Sequence, residues 1–382
     1  MSEPRVLVLH NRYRHAGGEE RAVELQLAAF TRAGITHAAL VRDSGEASRP
    51  RAGAALLRGG ERPHDVAAAV RALGATVVHA HNMHPLLGPR ALRAAREAGA
   101  RVVLHLHNFR LFCSIAVAFR DGETCFRCSH RLTLPGLVLN CRGSLPESAA
   151  YAAALALHQP AVLDAVDRFV TPSGFAAEQL ARLGLPPERL DVIPNYVPEP
   201  RKGDPGGDPG RGEYALMAGR LAVEKGAGVA VGAALQSGVP LRVAGDGPLA
   251  PELLALVEGG GAPVEFLGRV SAERVAELMA GAAMVVVPSL GPEVMPYAAL
   301  EAMAAGVPVV AADTGSLPEI LGRDRCVPRR DAGALAAAMQ RLWEDPELRA
   351  REGRALRVRV RERYSEERHV RELRALYERV RA

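Results

Sequence analysis

Short apolar runs alternate with amphipathic segments along most of the chain. Compact runs rich in Val, Leu and Ala are typical of buried strands, and the longer amphipathic segments between them are typical of helices. The predicted strands cover residues 6–9, 76–80, 101–106, 168–170, 214–217, 241–244, 264–267, 284–287 and 307–311. Because strands that alternate with helices form βαβ units, the pattern predicts an α/β fold with parallel sheets.

A Pro- and Gly-rich segment divides the chain. Residues 198–212 cannot form a helix or a central strand, and their composition is typical of an inter-domain linker. We therefore expect a first domain over residues 1–198, a linker over 199–213 and a second domain over 214–382. A polar, cysteine-rich insertion at about 108–145 interrupts the first domain.

Composition and charge fit two globular domains. The chain has 382 residues, 48% of them hydrophobic and 24% charged, which is enough for two cores. The net charge is +5, but arginine and glutamate alternate over 349–381, which favours a solvated helix face over a nucleic-acid site and leaves contact with a membrane surface open. No apolar run approaches the roughly 20 residues of a membrane span. The N-terminus lacks signal-peptide features, so we expect a cytoplasmic protein.

Candidate chemistry is concentrated around two carboxylates eight positions apart, Glu293 and Glu301. Glu293 follows a predicted strand, and we expect Glu301 about two turns into the next helix. Backbone amides at that helix N-terminus would favour an anion such as a diphosphate. A surface helix that happens to carry two acids is the alternative. The candidate anion-binding positions between the carboxylates are Val294, Met295 and Pro296.

The segment around these carboxylates resembles the donor-site signature of retaining glycosyltransferase family 4. Further segments resemble that family in the same order along the chain: the glycine-rich loop at 15–19, Ile193-Pro194-Asn195, the Gly-Arg…Lys-Gly loop at 219–226 and the glycine turn at 245–248. The resemblance implies the GT-B architecture, in which two Rossmann-like parallel-sheet domains face a central cleft. It also implies that the first domain takes the acceptor, that the second binds a nucleotide-sugar, and that the terminal helix crosses back to the first domain.

This resemblance implies retaining transfer of a sugar, as in a hexosyltransferase, from a nucleotide diphosphate to an acceptor hydroxyl. Arg220 and Lys225 would stabilise the diphosphate leaving group. The chain has no Asp-x-Asp pair, so we expect transfer without a metal or another catalytic cofactor. Glu293 would contact the transferred sugar and Glu301 the ribose hydroxyls. The expected route is front-face substitution, in which the leaving phosphate takes the acceptor proton.

Glycines and histidines of the first domain complete the candidate site. Gly17 and Gly18 would let the backbone approach the donor phosphate or the acceptor, with an ordinary turn as the alternative. His107 follows a predicted strand and matches a family position near the sugar, so His107 and Glu293 are the catalytic candidates. His81 and His84, which cluster with His79 after the preceding strand, are acceptor-side candidates.

Four cysteines in the insertion form a second constellation. Cys113, Cys125, Cys128 and Cys141 have the spacing C-x11-C-x2-C-x12-C. In a cytoplasmic protein this spacing favours a structural zinc site, with free thiols as the alternative. Zinc would order a loop poor in core residues.

The sequence leaves the substrates open. UDP-, GDP- and ADP-sugars are all candidate donors, and a carbohydrate or a small natural product is the expected acceptor. A sugar phosphorylase or a nucleotide-sugar epimerase on the same fold is the alternative function. A dinucleotide-binding oxidoreductase is disfavoured because the loop after the first strand lacks G-x-G-x-x-G.

Overall fold

The computed structural model describes residues 3–14, 17–199, 211–257 and 263–382. The chain forms two compact units. Unit 1 comprises Met1–Ala118, Cys125–Asn195 and Glu366–Ala382, and unit 2 comprises Phe119–Thr124 and Tyr196–Ser365. Most of the expected linker, residues 200–210, lies outside the described residues, as do His15 and Ala16 of the glycine-rich loop.

Unit 1 is built on a six-stranded parallel sheet. Its strands are β1 (Val6–Arg12), β2 (His37–Asp43), β3 (Val77–Ala80), β4 (Arg101–His105), β7 (Arg168–Thr171) and β8 (Leu190–Val192), in the order β2-β1-β3-β4-β7-β8. Its helices are α1 (Gly18–Arg32), α2 (Arg49–Arg58), α3 (Pro63–Leu73), α4 (Gly88–Glu97), α5 (Leu134–Val138), α6 (Leu145–Ala165), α7 (Gly174–Leu183) and α15 (Glu366–Arg381). Strands β1, β3 and β4 are almost entirely buried, as expected for central strands of a parallel sheet.

Unit 2 repeats this architecture. Its six-stranded parallel sheet contains β9 (Ala215–Ala218), β10 (Leu241–Ala244), β11 (Val264–Gly268), β12 (Met284–Val287), β13 (Val309–Ala312) and β14 (Cys326–Val327), in the order β11-β10-β9-β12-β13-β14. Its helices are α8 (Ala227–Ser237), α9 (Ala250–Val257), α10 (Ala272–Ala280), α11 (Tyr297–Ala305), α12 (Leu317–Leu321), α13 (Ala332–Glu344) and α14 (Pro346–Arg363). The predicted fold class, α/β with two Rossmann-like parallel-sheet domains, is confirmed.

Two segments belong to the unit other than the one that contains their sequence neighbours. The antiparallel hairpin of β5 (Phe119–Arg120) and β6 (Glu123–Thr124) was expected in the first domain, but it is part of unit 2. The reason is an ionic contact: Arg329 Nη2 donates to Glu123 Oε2 at 2.9 Å, and Arg330 pairs with the same carboxylate. Helix α15 is part of unit 1, where the Arg374 guanidinium donates to the carbonyl of Ala33 at 2.6 Å.

The insertion has more buried apolar side chains than the sequence suggested. Phe109 and Phe112 are each 1% exposed, and the ring of Phe109 packs edge-on against Phe126 at 5.1 Å. The expectation of a loop poor in core residues is therefore wrong, because these aromatic rings supply a core at its start.

None of the helices in the described ranges combines the length and apolar composition that crossing a bilayer requires.

Candidate functional site

A lysine and a glutamate form an ion pair at the carboxyl end of the unit 2 sheet. Lys225 Nζ lies 2.7 Å from Glu293 Oε1. The hydroxyl of Ser289, which follows β12, donates to the same oxygen at 2.6 Å. Within the described part of the chain, Glu293 Oε2 accepts no hydrogen bond, so it is available for a ligand hydroxyl.

Glycines fix the loops that carry this pair. Gly226 has a φ of +70°, and a Cβ there would lie 2.0 Å from the carbonyl oxygen of Pro288. Gly315 has a φ of +60°, and its Cβ would lie 2.3 Å from backbone atoms of Glu293. Only glycine allows these left-handed conformations and close approaches without strain. The loop of Lys225 and the loop of Glu293 are thus held together by backbone contact.

Arg220 and Glu224 form a second ion pair in the same loop. The Arg220 side chain is 56% exposed, whereas that of Glu224 is 16% exposed. The carbonyl oxygen of Glu224 accepts from the N–H groups of Leu290 and Gly291, each at 2.9 Å. The loop that carries Arg220 and Lys225 is therefore hydrogen-bonded, through the Glu224 carbonyl, to the loop after β12.

The helix after Glu293 begins later than expected. Pro296 is the N-cap of α11, so Val294 and Met295 lie in the preceding loop with buried side chains. Pro296 has no N–H to donate, so the amides at this helix N-terminus begin at Tyr297. Glu301 is the half-buried fifth residue of α11, about one turn into the helix and not two.

In unit 1, His107 and His81 belong to a stack of histidine rings. The centroids of His107 and His105 are 4.1 Å apart with an interplanar angle of 16°. His81 Nδ1 lies 2.9 Å from His107 Nε2. Burial lowers the pKa of His107 to about 3, so its ring is neutral at pH 7. His81 is 2% exposed, and its assignment to the acceptor stays a prediction.

The remaining candidates of unit 1 are His84, Gly17 and Gly18. His84 is half-buried, and burial lowers its pKa to about 3. Gly17 is the N-cap of α1, where its N–H donates to Glu20 Oε2 at 2.8 Å. Gly18 is exposed at the first position of that helix. A ligand role for these residues stays a prediction.

A buried polar network beside α1 escaped the sequence analysis. The Tyr13 hydroxyl donates to Glu19 Oε2 at 2.7 Å, and Asn108 Nδ2 donates to the same oxygen at 2.9 Å. The Arg110 guanidinium lies 5.5 Å from the centre of the Tyr13 ring. Burial raises the pKa of Glu19. The signal was Glu19, the last residue of the glycine-rich loop, but a single acid at a helix start predicts only a helix N-terminus.

The four cysteines of the insertion lie near one another and form no disulfide. Burial, together with the neighbouring thiols of Cys113, Cys125 and Cys141, raises the pKa of Cys128 to about 11. Burial also raises the pKa of the Cys113 thiol. Across the described residues, however, no three of these sulfurs lie within 4.8 Å of one another. Four thiols are ligands that suit zinc, but these sulfurs do not surround one position. Structural zinc therefore stays a prediction.

Comparison with protein-family models decides the family. A model described as "Glycosyl transferase 4-like domain" matches residues 16–196, and one described as "Glycosyl transferases group 1" matches residues 212–345. Together they cover most of the chain. The chain belongs to the family 4 glycosyltransferases with the GT-B fold.

A curated relative of this glycosyltransferase supports the assignment. It is 37% identical to the GDP-mannose-dependent α-(1-6)-phosphatidylinositol dimannoside mannosyltransferase of Mycobacterium tuberculosis over 35% of this chain and 36% of the relative. The chain therefore spans only about a third of that relative's length.

Solved structures share the fold of this glycosyltransferase over nearly its whole length. Sucrose-phosphate synthase from Thermosynechococcus elongatus matches with a TM-score of 0.72 and 20% identity, covering 98% of this chain and 99% of that one. HepE of Anabaena in complex with UDP matches with a TM-score of 0.68 and 17% identity, covering 98% and 100% of the two chains. At these identities the likeness establishes the fold.

Proposed function

We propose that the protein transfers a sugar from a nucleotide diphosphate to an acceptor hydroxyl, with retention of anomeric configuration and without a metal ion in the transfer step. The observation that carries the proposal is the Lys225–Glu293 pair at 2.7 Å, next to α11. It sets a cation for a leaving diphosphate beside a carboxylate whose Oε2 can accept from sugar hydroxyls.

The cations would act on charge that develops as the glycosidic bond breaks. Negative charge accumulates on the diphosphate oxygens, and Arg220 can fork onto two of them while Lys225 supplies a point charge. Each cation is now paired with a carboxylate, Arg220 with Glu224 and Lys225 with Glu293. Donor binding would exchange these partners for phosphate oxygens, and Glu293 would turn to the transferred sugar.

The remaining candidate residues would contact the ribose and the donor sugar. Glu301, one turn into α11, would accept from the ribose hydroxyls. The acceptor proton would pass to the leaving phosphate, so no protein nucleophile is required. His107, a neutral ring at the end of the unit 1 sheet, would donate a hydrogen bond near the donor sugar.

The donor class is the nucleotide-sugars. HepE is described in complex with UDP, and the mycobacterial relative is described as dependent on GDP-mannose. UDP- and GDP-sugars are therefore the first donors to test, followed by ADP-sugars. A carbohydrate or a small natural product would provide the hydroxyl, and a membrane-bound acceptor would require contact with a lipid surface.

The test combines binding with turnover. A ligand that binds only the folded state raises the melting temperature, so UDP, GDP, ADP and their sugar conjugates are compared by thermal shift and calorimetry. With an active donor and acceptor, we expect Arg220→Ala and Lys225→Ala each to lower kcat by roughly 10²- to 10³-fold. NMR of the product reports the anomeric configuration.

Arg274→Ala is the matched control. Arg274 is 55% exposed and pairs with Glu277 on its own helix, much as Arg220 is 56% exposed and pairs with Glu224. The control should leave kcat unchanged, and added Mg²⁺ or Mn²⁺ should not raise it. Near-normal turnover in both site variants would refute the diphosphate assignment. Formation of sugar 1-phosphate from a glycoside and inorganic phosphate would instead identify a phosphorylase.

A further inference from the structure

Histidines alternate at the carboxyl ends of two neighbouring strands of unit 1. His79 lies in β3 with His81 just beyond it, and β4 ends at His105 with His107 just beyond it. In the parallel register His79 pairs with Val103, and alternate residues of a strand share a face. The four rings therefore collect on one face of the sheet. His79, His81 and His105 are 0%, 2% and 1% exposed.

Three of these rings bring ligand atoms together. One ring nitrogen from each of His79, His81 and His105 lies within 4.8 Å of the other two, and the described residues contain no second group of three such ligands. His79 Nε2 and His105 Nδ1 are 3.3 Å apart. Two nitrogens bound tetrahedrally at Zn–N distances of about 2.0–2.1 Å are separated by roughly 3.3–3.4 Å. The observed separation fits a shared metal as well as a hydrogen bond.

Two buried ring nitrogens lack partners. Within the described part of the chain, neither His81 Nε2 nor His105 Nε2 makes a hydrogen bond, although both atoms are shielded from solvent. A buried polar atom left unsatisfied costs about 1–3 kcal/mol, so each one requires an explanation. A cation held between His79 Nε2 and His105 Nδ1 would use the lone pair of His81 Nε2 and not that of His105 Nε2.

The opposite ring nitrogens have partners of the kind that orient metal ligands. His79 Nδ1 lies 2.6 Å from the Tyr377 hydroxyl, and His81 Nδ1 lies 2.9 Å from His107 Nε2. Metal-binding histidines generally use their second nitrogen in such a contact, which fixes the tautomer and the ring orientation. In both residues Nδ1 makes this contact, so Nε2 is the nitrogen that remains for an ion.

The chemistry of the ligands indicates the class of metal. Imidazole ligands suit Zn²⁺, Cu²⁺, Ni²⁺ and Co²⁺ better than Mg²⁺ or Ca²⁺.

We propose that unit 1 binds one divalent transition-metal ion of the zinc class through a ring nitrogen of each of His79, His81 and His105. Tyr377 and His107 are the positioning residues of this site, and a water molecule takes the fourth position. The ligands and both positioning residues belong to unit 1, whereas the residues proposed to bind the diphosphate belong to unit 2.

The test is a Co²⁺ titration of the full chain after chelation, with the Cys125→Ser/Cys128→Ser variant alongside to remove the competing thiols. We expect one Co²⁺ per chain in that variant, with visible d–d bands and no sulfur-to-cobalt charge-transfer band. His105→Gln should abolish this binding. Tyr377→Phe should weaken it by roughly 10- to 100-fold, the usual effect of losing an outer-shell partner.

His369→Gln is the matched control. His369 is also buried, at 4% exposed, but it is outside the three-ligand group and its Nδ1 contacts the carbonyl oxygen of Pro194. It should bind Co²⁺ like the parent. If His105→Gln fails to fold, the Co²⁺ spectrum of the parent and the Co²⁺ affinity of Tyr377→Phe test the proposal. No nitrogen-ligand Co²⁺ spectrum, an unchanged affinity in Tyr377→Phe, or a crystal structure with water on the unpaired nitrogens after Zn²⁺ soaking would overturn the proposal.

Discussion

Two glycines at the ends of α8 have the same backbone conformation in different surroundings. Gly226 has a φ of +70° with Pro288 against it, whereas Gly238 has a φ of +72° and no atom within 4 Å of the position that a Cβ would occupy. Gly238→Ala should cost about 1–2 kcal/mol for the left-handed conformation alone. Gly226→Ala should cost more, because its Cβ also displaces the Pro288 carbonyl, and it should weaken nucleotide binding.

Urea unfolding and nucleotide calorimetry of the two glycine variants measure this difference. Because Gly226 belongs to the loop of Lys225, only its substitution should affect both stability and binding. Equal losses of stability with normal binding in both variants would show that the loop after β12 is not held by this contact.

Glu19 gives a prediction about pH. Burial raises its pKa, so the folded state keeps this proton to a higher pH than the unfolded chain does. Its contribution to stability is complete below the unfolded pKa and is lost as the pH rises through the folded pKa. Glu19→Gln, which imitates the protonated form, should therefore stabilise the protein more at pH 8 than at pH 5. The measurement is urea unfolding at both pH values.

The control for this prediction is Glu24→Gln, an exposed position on the same helix. Its effect on the free energy of unfolding should be the same at both pH values. A Glu19→Gln effect that is larger at pH 5 would mean that the carboxylate, and not the acid, is the form the fold prefers.

Individual residues of the site were predictable to different extents. The cation and carboxylate that meet as Lys225 and Glu293 were both predicted from motifs, although they are far apart in sequence. Ser289 was missed because one serine after a strand carries no pattern. The cluster of His79, His81 and His105 was predictable only in part. His79 and His81 alternate as residues on one face of a strand do, but their position beside His105 depends on a strand register that the sequence does not show.

At the scale of elements, central strands were predictable, whereas of the edge strands β11 was predicted and β2 was missed. Strands β3, β10 and β12 coincide with apolar runs because both of their faces are buried. Strand β2 was missed because it lies at a sheet edge with mostly half-buried or exposed residues, so its apolar pattern is broken. Strands β8 and β14 are also edge strands, of three and two residues.

The cysteine-rich insertion gives a prediction at the element scale. If zinc orders it, Cys125→Ser/Cys128→Ser should lower the zinc content by one ion per chain, because thiolates are the ligands that hold it. Proteolysis within 125–141 should become faster. Elemental analysis and limited proteolysis measure both effects.

Cys326→Ser is the control thiol. Burial raises the pKa of Cys326 to about 12, and the residue lies in β14, away in sequence from the other four. Its substitution should leave zinc content and insertion cleavage unchanged. An equal zinc content in the parent and the double variant would contradict the zinc prediction. The buried phenylalanines would then be what orders the insertion.

At the scale of the whole molecule, α15 completes a unit that begins with β1. Leu373 is 0% exposed, and Tyr377 packs edge-on against Phe30 of α1 at 6.2 Å. Leu373→Ala should cost about 2–5 kcal/mol through lost burial and a cavity. Hydrogen exchange should show reduced protection in β1 and β3, while α14, which precedes α15 in sequence but belongs to unit 2, stays protected.

Leu157→Ala is the comparison for this prediction, since Leu157 is 62% exposed in the same unit. It should change exchange little at any strand. Loss of protection in α14 together with unchanged β1 and β3 would contradict the assignment of α15 to unit 1.

Helix α15 belongs to unit 1 but is the last element that the ribosome makes. Strands β1, β3 and β4 are made first, but the Tyr377 ring that contacts His79 is made only after every residue of unit 2. The nascent chain therefore carries His79 without its Tyr377 partner throughout the synthesis of unit 2. The unit that starts first is completed last.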